Sequence, residues 1–145
     1  INLNNSIILD LFSGVGSFGI ECISRGAKKV IFIENYKNAL LILKRNLSNL
    51  TTVNNYEIIE KNIYTENLSE NLNDKFDLIF LDPPYKDKNL HELLLKINNL
   101  NILKKDSVII LHRHKKEKEI FPSNFKIIEK KQYGISKIIF LTVLN

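Results

Sequence analysis

The 145-residue sequence predicts an open, doubly wound α/β sheet, mostly parallel, finished by an antiparallel C-terminal hairpin. Three observations carry this expectation. Two apolar runs, Ile7-Ile8-Leu9 and Phe76-Asp77-Leu78-Ile79-Phe80-Leu81, lead straight into acids, Asp10 and Asp82. The first is followed by Gly14-x-Gly16-x-x-Gly19 and a helical pattern, the strand–turn–helix order in which such sheets present nucleotide-like ligands. The closing stretch reads as two strands joined through Tyr133-Gly134, for which a hairpin is the shortest connection.

Each element has its own reason. Residues 6–11 form the first strand, and residues 16–25 the helix after it, with Gly26 as its stop. Residues 29–33 make the second strand, ending at Glu34. Ala39, Leu40, Leu43, Leu47 and Leu50 recur at helical spacing over residues 36–50. Residues 56–59 are a short third strand and residues 67–74 a polar helix end and loop. Residues 76–81, 91–97 and 108–111 then follow as fourth strand, helix and fifth strand, before strands at 125–132 and 136–144.

Composition narrows the class. With 44% hydrophobic residues the chain can bury a core, and its length suits one domain over residues 1–145. No apolar run is long enough to span a bilayer, and no signal-peptide pattern opens the chain. The lone Cys22 offers neither a disulfide nor a metal cluster, and it falls among core positions of the first helix. A net charge of +5, carried by 18 Lys and 3 Arg, is compatible with a nucleic-acid partner. The abundance of Ile, Asn and Lys beside two Ala also fits AT-rich coding, so the charge is weak support.

The two acid-ended strands carry the chemistry. Gly14 and Gly16 permit close backbone approach and positive φ, and Gly19 lets the helix lie close on the sheet. A helix start there would welcome a diphosphate. Asp10 argues otherwise, since a carboxylate repels a diphosphate and attracts an ammonium or sulfonium. Asp82 runs into Pro83-Pro84-Tyr85. The two prolines fix φ and lack N–H, so the loop is rigid and rich in free carbonyls. An acceptor set of this kind beside an aromatic ring suits a planar group bearing an NH2.

At these residues the chain resembles a known family. Leu9-Asp10-Leu11-Phe12-Ser13-Gly14-Val15-Gly16, followed by Asp82-Pro83-Pro84-Tyr85, looks like the Rossmann-like class I methyltransferases that act on exocyclic or amide nitrogens. Within them it is most similar to the 16S ribosomal RNA guanine-N2 methyltransferases. That likeness also runs through Gly19-Ile20-Glu21, Ser24-Arg25-Gly26-Ala27, Ile33-Glu34, Lys44-Arg45-Asn46-Leu47 and Tyr133-Gly134.

The resemblance implies S-adenosyl-L-methionine as cofactor. Asp10, Phe12, Gly14, Gly16, Glu34, Asn62, Ile63 and Asp82 would bind it. Glu34 would take the ribose hydroxyls, Asn62 the adenine edge and Ile63 the ring face. Asp82, Pro83, Pro84 and Tyr85 would be catalytic: Asp82 and the Pro83 carbonyl accept the two amine hydrogens, and Tyr85 stacks on the extruded base. No metal is required. The partner would be ribosomal RNA or a small-subunit particle, with no membrane, and the protein a monomer. Its compartment would be the cytoplasm of a bacterium, or a plastid or mitochondrion in a eukaryote.

Departures and rivals bound the reading. The family begins with an N-terminal segment before the first strand, and here the chain starts at that strand. The family more usually has an acid near position 112, where this chain has His112-Arg113-His114-Lys115-Lys116. The basic cluster reads as a solvated loop, with Arg113, Lys115 and Lys116 available to RNA phosphate. Two His at i and i+2 lack further metal ligands. Adenine-N6 DNA methyltransferases share the tetrapeptide but carry an added target-recognition region. Protein glutamine methyltransferases show Asn at the position of Asp82. A non-catalytic cofactor- or RNA-binding scaffold is the rival from outside the enzymes.

Overall fold

A computed structural model describes residues 2–50, 53–84 and 89–144. The element order is β1 (Ile7–Leu11), α1 (Ser17–Ser24), β2 (Lys29–Ile33), α2 (Lys37–Ser48), β3 (Tyr56–Ile59), β4 (Phe76–Leu81), α3 (Leu90–Asn99), β5 (Leu103–His114), β6 (Phe125–Tyr133) and β7 (Ser136–Val143). The strands form one sheet in the order β3-β2-β1-β4-β5-β7-β6. Strands β1 to β5 run parallel, and β7 pairs antiparallel with both β5 and β6. The expected hairpin is present. Its second strand, not its first, joins the parallel sheet, which leaves β6 at the edge.

Alternation along the strands builds two cores, one on each face. Leu9, Leu11, Ile31, Ile33, Ile79, Leu81, Ile109 and Leu111 pack with Leu93, Leu94 and Ile97 of α3. Their neighbours Ile8, Val30, Phe32 and Leu78 pack with Cys22 of α1 and with Leu40, Leu43 and Leu47 of α2. Each such fully buried aliphatic side chain contributes roughly 1.5–3 kcal/mol of transfer free energy. Residues 67–74 form turns instead of a helix end; Leu68 and Leu72 anchor them to the α3 face.

Strand β5 is much longer than the four residues legible in the sequence. Its first part pairs Leu103 with Phe76, and its last part, His112-Arg113-His114, pairs with Ile138, Lys137 and Ser136 of β7. His112 to His114 are therefore ladder, while Lys115 and Lys116 form the exposed turn that the sequence suggested. Arg113 is buried, with its guanidinium 3.6 Å from both Glu117 and Glu119 carboxylates. Lys137 Nζ lies 2.8 Å from Glu119 and also donates to the Glu117 carbonyl. Arg113 thus belongs to an internal ion cluster and is not open to phosphate.

The register brings four strand ends level. Ile33, Leu11, Leu81 and Leu111 stand side by side across β2, β1, β4 and β5. The residues that follow them are Glu34, Phe12, Asp82 and His112.

Candidate active site

All four of those residues line a single cavity of about 730 Å³ at the carboxyl edge of the sheet. The volume lies in the range of small-molecule sites, and the carboxyl edge of an open α/β sheet is where such ligands bind. Gly14, Asn62, Ile63, Pro83 and Pro84 also face it. Of the residues singled out in the sequence, Phe12, Gly14, Glu34, Asn62, Ile63, Asp82, Pro83 and Pro84 come together here. Tyr85 lies outside the described residues.

Asp10 and Gly16 do not reach the cavity wall. Asp10 is buried beneath α1, where its Oδ2 accepts the Gly19 N–H at 3.1 Å. Its Oδ1 has no hydrogen-bond partner among the described residues. Gly16, at φ 88°, faces α2: a Cβ there would stand 2.3 Å from Leu43 Cδ1. Both are placed to shape the glycine loop and not to line the cavity.

Burial pushes the Asp10 carboxyl up to about 7, against the lowering effect of the Gly19 N–H; the charges of Asp82 and Glu34 raise it further. Burial likewise pushes the Cys22 thiol up to about 12, which leaves it an inert core group. Glu34 and Asp82 stand at the wall, and the Asp10 carboxyl beneath them is only partly ionised near neutral pH. The same wall carries Lys61 and the buried Arg113, so acids and bases are balanced there and the net charge of the lining selects neither an anion nor a cation.

Glu34 is held tightly. Its Oε1 accepts the Gly14 N–H at 2.7 Å, and its Oε2 accepts from Asn35 at 3.0 Å and Tyr36 at 2.9 Å. A carboxylate has about four acceptor sites, so one remains for an incoming hydroxyl. The loop at Gly14 is open, with nothing within 4 Å of a hypothetical Cβ. Asn62 uses its Oδ1 to accept from the Tyr64 N–H at 2.8 Å, an Asx turn that leaves its NH2 free to donate. Ile63 is almost wholly buried, its edge contributing apolar wall.

The sequence reading missed several wall residues. Tyr64, whose ring lies 5.5 Å from that of Phe12, looked like an ordinary loop residue. Ile135, in the turn after β6, and Ser136, which opens β7, arrive only because β7 lies beside β5. His112 lies beside Asp82, with Nδ1 2.9 Å from Asp82 Oδ1. Aligning the last apolar residues of β4 and β5, Leu81 and Leu111, would have placed these two next to each other. Among the described residues no group of His, Cys, Asp and Glu is arranged to hold a metal ion, and no helix is long and apolar enough to cross a membrane.

A sheet of this order with an acid-rimmed edge and an Asp-Pro-Pro loop defines a protein of the class I methyltransferase fold. The chain belongs to the family described as conserved hypothetical protein 95, whose pattern matches residues 1–142. It is 36% identical over 129 residues to ribosomal RNA small subunit methyltransferase D of Buchnera aphidicola, covering 89% of this chain and 66% of that one. It is 32% identical over 134 residues to the protein of that name from Haemophilus influenzae, covering 92% and 69%. The chain thus spans about two thirds of the length of these relatives. A solved structure of a conserved hypothetical protein from Streptococcus pyogenes superposes with a TM-score of 0.86 at 26% identity, over 98% of this chain and 88% of that one.

Proposed function

We propose that this chain transfers a methyl group from S-adenosylmethionine to the exocyclic N2 amine of a guanine in small-subunit ribosomal RNA. The observation that carries the proposal is Asp82: a half-exposed carboxylate at the wall of the carboxyl-edge cavity, followed by two prolines in the same wall. The names of the relatives support ribosomal RNA as substrate. The choice of guanine N2 follows the resemblance drawn from the sequence.

The wall chemistry fits the cofactor. Glu34 keeps one acceptor site for a ribose hydroxyl, and the Asn62 amide can donate to a purine nitrogen. Phe12 and Ile63 supply apolar surface for the base. The cofactor, when bound, supplies a methyl carbon on a sulfonium: the amine lone pair forms the new N–C bond, the C–S pair stays on sulfur, and one amine proton is lost. Delocalisation into the purine makes that amine a poor nucleophile. Asp82 and the Pro83 carbonyl accept its two hydrogens, turn the lone pair toward the methyl and offset the positive charge that develops on nitrogen. Asp82 then passes the released proton to water.

Transfer of a labelled methyl group to ribosomal RNA fragments, followed by nucleoside analysis, tests the proposal. Label in N2-methylguanosine is the expected product. Label in N6-methyladenosine would overturn the choice of base. Binding of RNA and cofactor with no transfer would leave a scaffold instead of an enzyme.

A further inference from the structure

We infer that His112 is a positioning residue for the amine-accepting carboxylate: it holds Asp82 through Oδ1 and leaves Oδ2 as the acceptor for the substrate amine. The inference rests on the methyl-transfer reading above.

A carboxylate at the end of a strand ordinarily takes hydrogen bonds from the backbone N–H groups that follow it. Asp82 is denied this, because the next two residues are Pro83 and Pro84 and neither has an N–H. Among the described residues its only hydrogen-bond partner is His112, at 2.9 Å. The contact follows from the sheet itself. Leu81 and Leu111 are paired in the parallel ladder between β4 and β5, so the next residues of each strand emerge side by side. His112 is in turn fixed on its other flank by pairing with Ile138 of β7.

The chemistry of the contact fixes the tautomer. An ionised carboxylate only accepts, so Nδ1 carries the proton and donates it to Oδ1. A side chain locked at one oxygen no longer rotates between acceptor positions when the substrate arrives. Preorganisation of this kind acts on the transfer step and not on cofactor affinity. The groups that fit the cofactor, Glu34 and Asn62, sit on other elements of the cavity.

Two measurements test it. In the first, His112→Ala should lower kcat by about tenfold or more, with the cofactor Kd unchanged. His112→Asn should recover most of that loss, since its amide nitrogen can stand where Nδ1 stands. The Asp82→Ala/His112→Ala double variant should be no slower than Asp82→Ala alone, because a residue acting through Asp82 has nothing left to position. A wild-type kcat in His112→Ala, no recovery in His112→Asn, or additive losses in the double variant would each overturn the inference while leaving methyl transfer intact. No transfer by the unmutated protein would overturn the functional reading and this inference with it.

The second measurement needs no activity. The chain has three histidines, so imidazole nitrogen spectra of the full chain resolve them. His112 should show the Nδ1-protonated tautomer and should lose that preference in Asp82→Ala. A His112 protonated at Nε2 alone in the unmutated chain would overturn the assignment.

Discussion

Glu34 and Gly14 are joined by a 2.7 Å hydrogen bond across twenty residues of sequence, so the acid at the end of β2 shapes the glycine loop after β1. One side chain thereby serves two purposes. It is the acceptor offered to a ligand, and it is also the clamp that sets the loop the ligand approaches.

Removing it should cost at least one charged hydrogen bond to the ligand. Glu34→Ala is expected to weaken S-adenosylmethionine binding by roughly 1.5–3 kcal/mol, as for loss of a hydrogen bond to a charged group. Glu34→Gln, which can still accept from Gly14, should lose less. Calorimetric titration decides: equal affinity in all three proteins would remove Glu34 from the ligand site.

Asp10 sets a pH dependence of stability. Its folded carboxyl titrates at about 7 against an ordinary 3.8, so between those values the folded chain binds the proton that the unfolded chain has released. Stability from this group is therefore full below about pH 4 and falls as pH rises toward 7, by up to about 4 kcal/mol. Asp10→Asn should flatten that decline. Denaturant unfolding at pH 4.5 and pH 8 measures it, and an identical pH slope in both proteins would contradict the buried, near-neutral carboxyl.

The ion cluster under β5 and the exposed lysines beside it should separate cleanly. Arg113→Ala leaves the Glu119 carboxylate buried with one cation fewer, and is expected to destabilise by roughly 3–5 kcal/mol. It should leave the salt dependence of RNA binding unchanged. Lys115→Ala with Lys116→Ala, both exposed, should leave stability alone and reduce the salt slope by about one unit for each phosphate that the two ammonium groups neutralise. Salt titrations of RNA affinity, read beside melting curves, distinguish the two. A reduced slope in Arg113→Ala at undiminished stability would reverse the assignment.

Gly19 is where α1 meets the sheet. A Cβ there would lie 2.3 Å from Phe32 Cε1 and 3.0 Å from Asp10 Oδ2. Gly19→Ala should therefore destabilise by about 1–3 kcal/mol through overpacking. Gly14→Ala meets no neighbour and pays only for its φ of 57°, about 1–2 kcal/mol. A Gly19→Ala variant as stable as the unmutated chain in a denaturant series would mean that α1 shifts freely on the sheet.

What the sequence disclosed and what it hid divide along one line. Strand β4 was legible to the residue, because an apolar run stops at Asp82 and two prolines prevent its continuation. Strand β3 was equally plain. Strand β5 was not: Lys104, Lys105, Asp106 and the run from His112 to His114 carry no strand pattern. His112 to His114 are held in the ladder by β7, more than twenty residues on, while Lys104 to Asp106 fill the irregularity between the Leu103–Phe76 and Val108–Leu78 pairs, with Asp106 at φ 63°. Arg113 looked solvated for the same reason. Its carboxylate partners follow β5, but their meeting depends on how the chain returns to place β7 beside it. Likewise, the glycine loop and the Asp-Pro-Pro sequence announced the cavity, while the contact between His112 and Asp82 exists only in the register of two strands.

The position of β7 has a consequence for biogenesis. Strand β7 is synthesised after β6, yet it lies inside the sheet between β5 and β6. A nascent chain that has not yet cleared the ribosomal exit tunnel through Val143 leaves β5 with an unpaired flank, and β6 has no strand to join. Ile135 and Ser136 are then missing from the cavity wall. The cavity wall is therefore completed only when β7 takes its place, and until then β5 presents an unpaired edge of the kind that can pair with another chain.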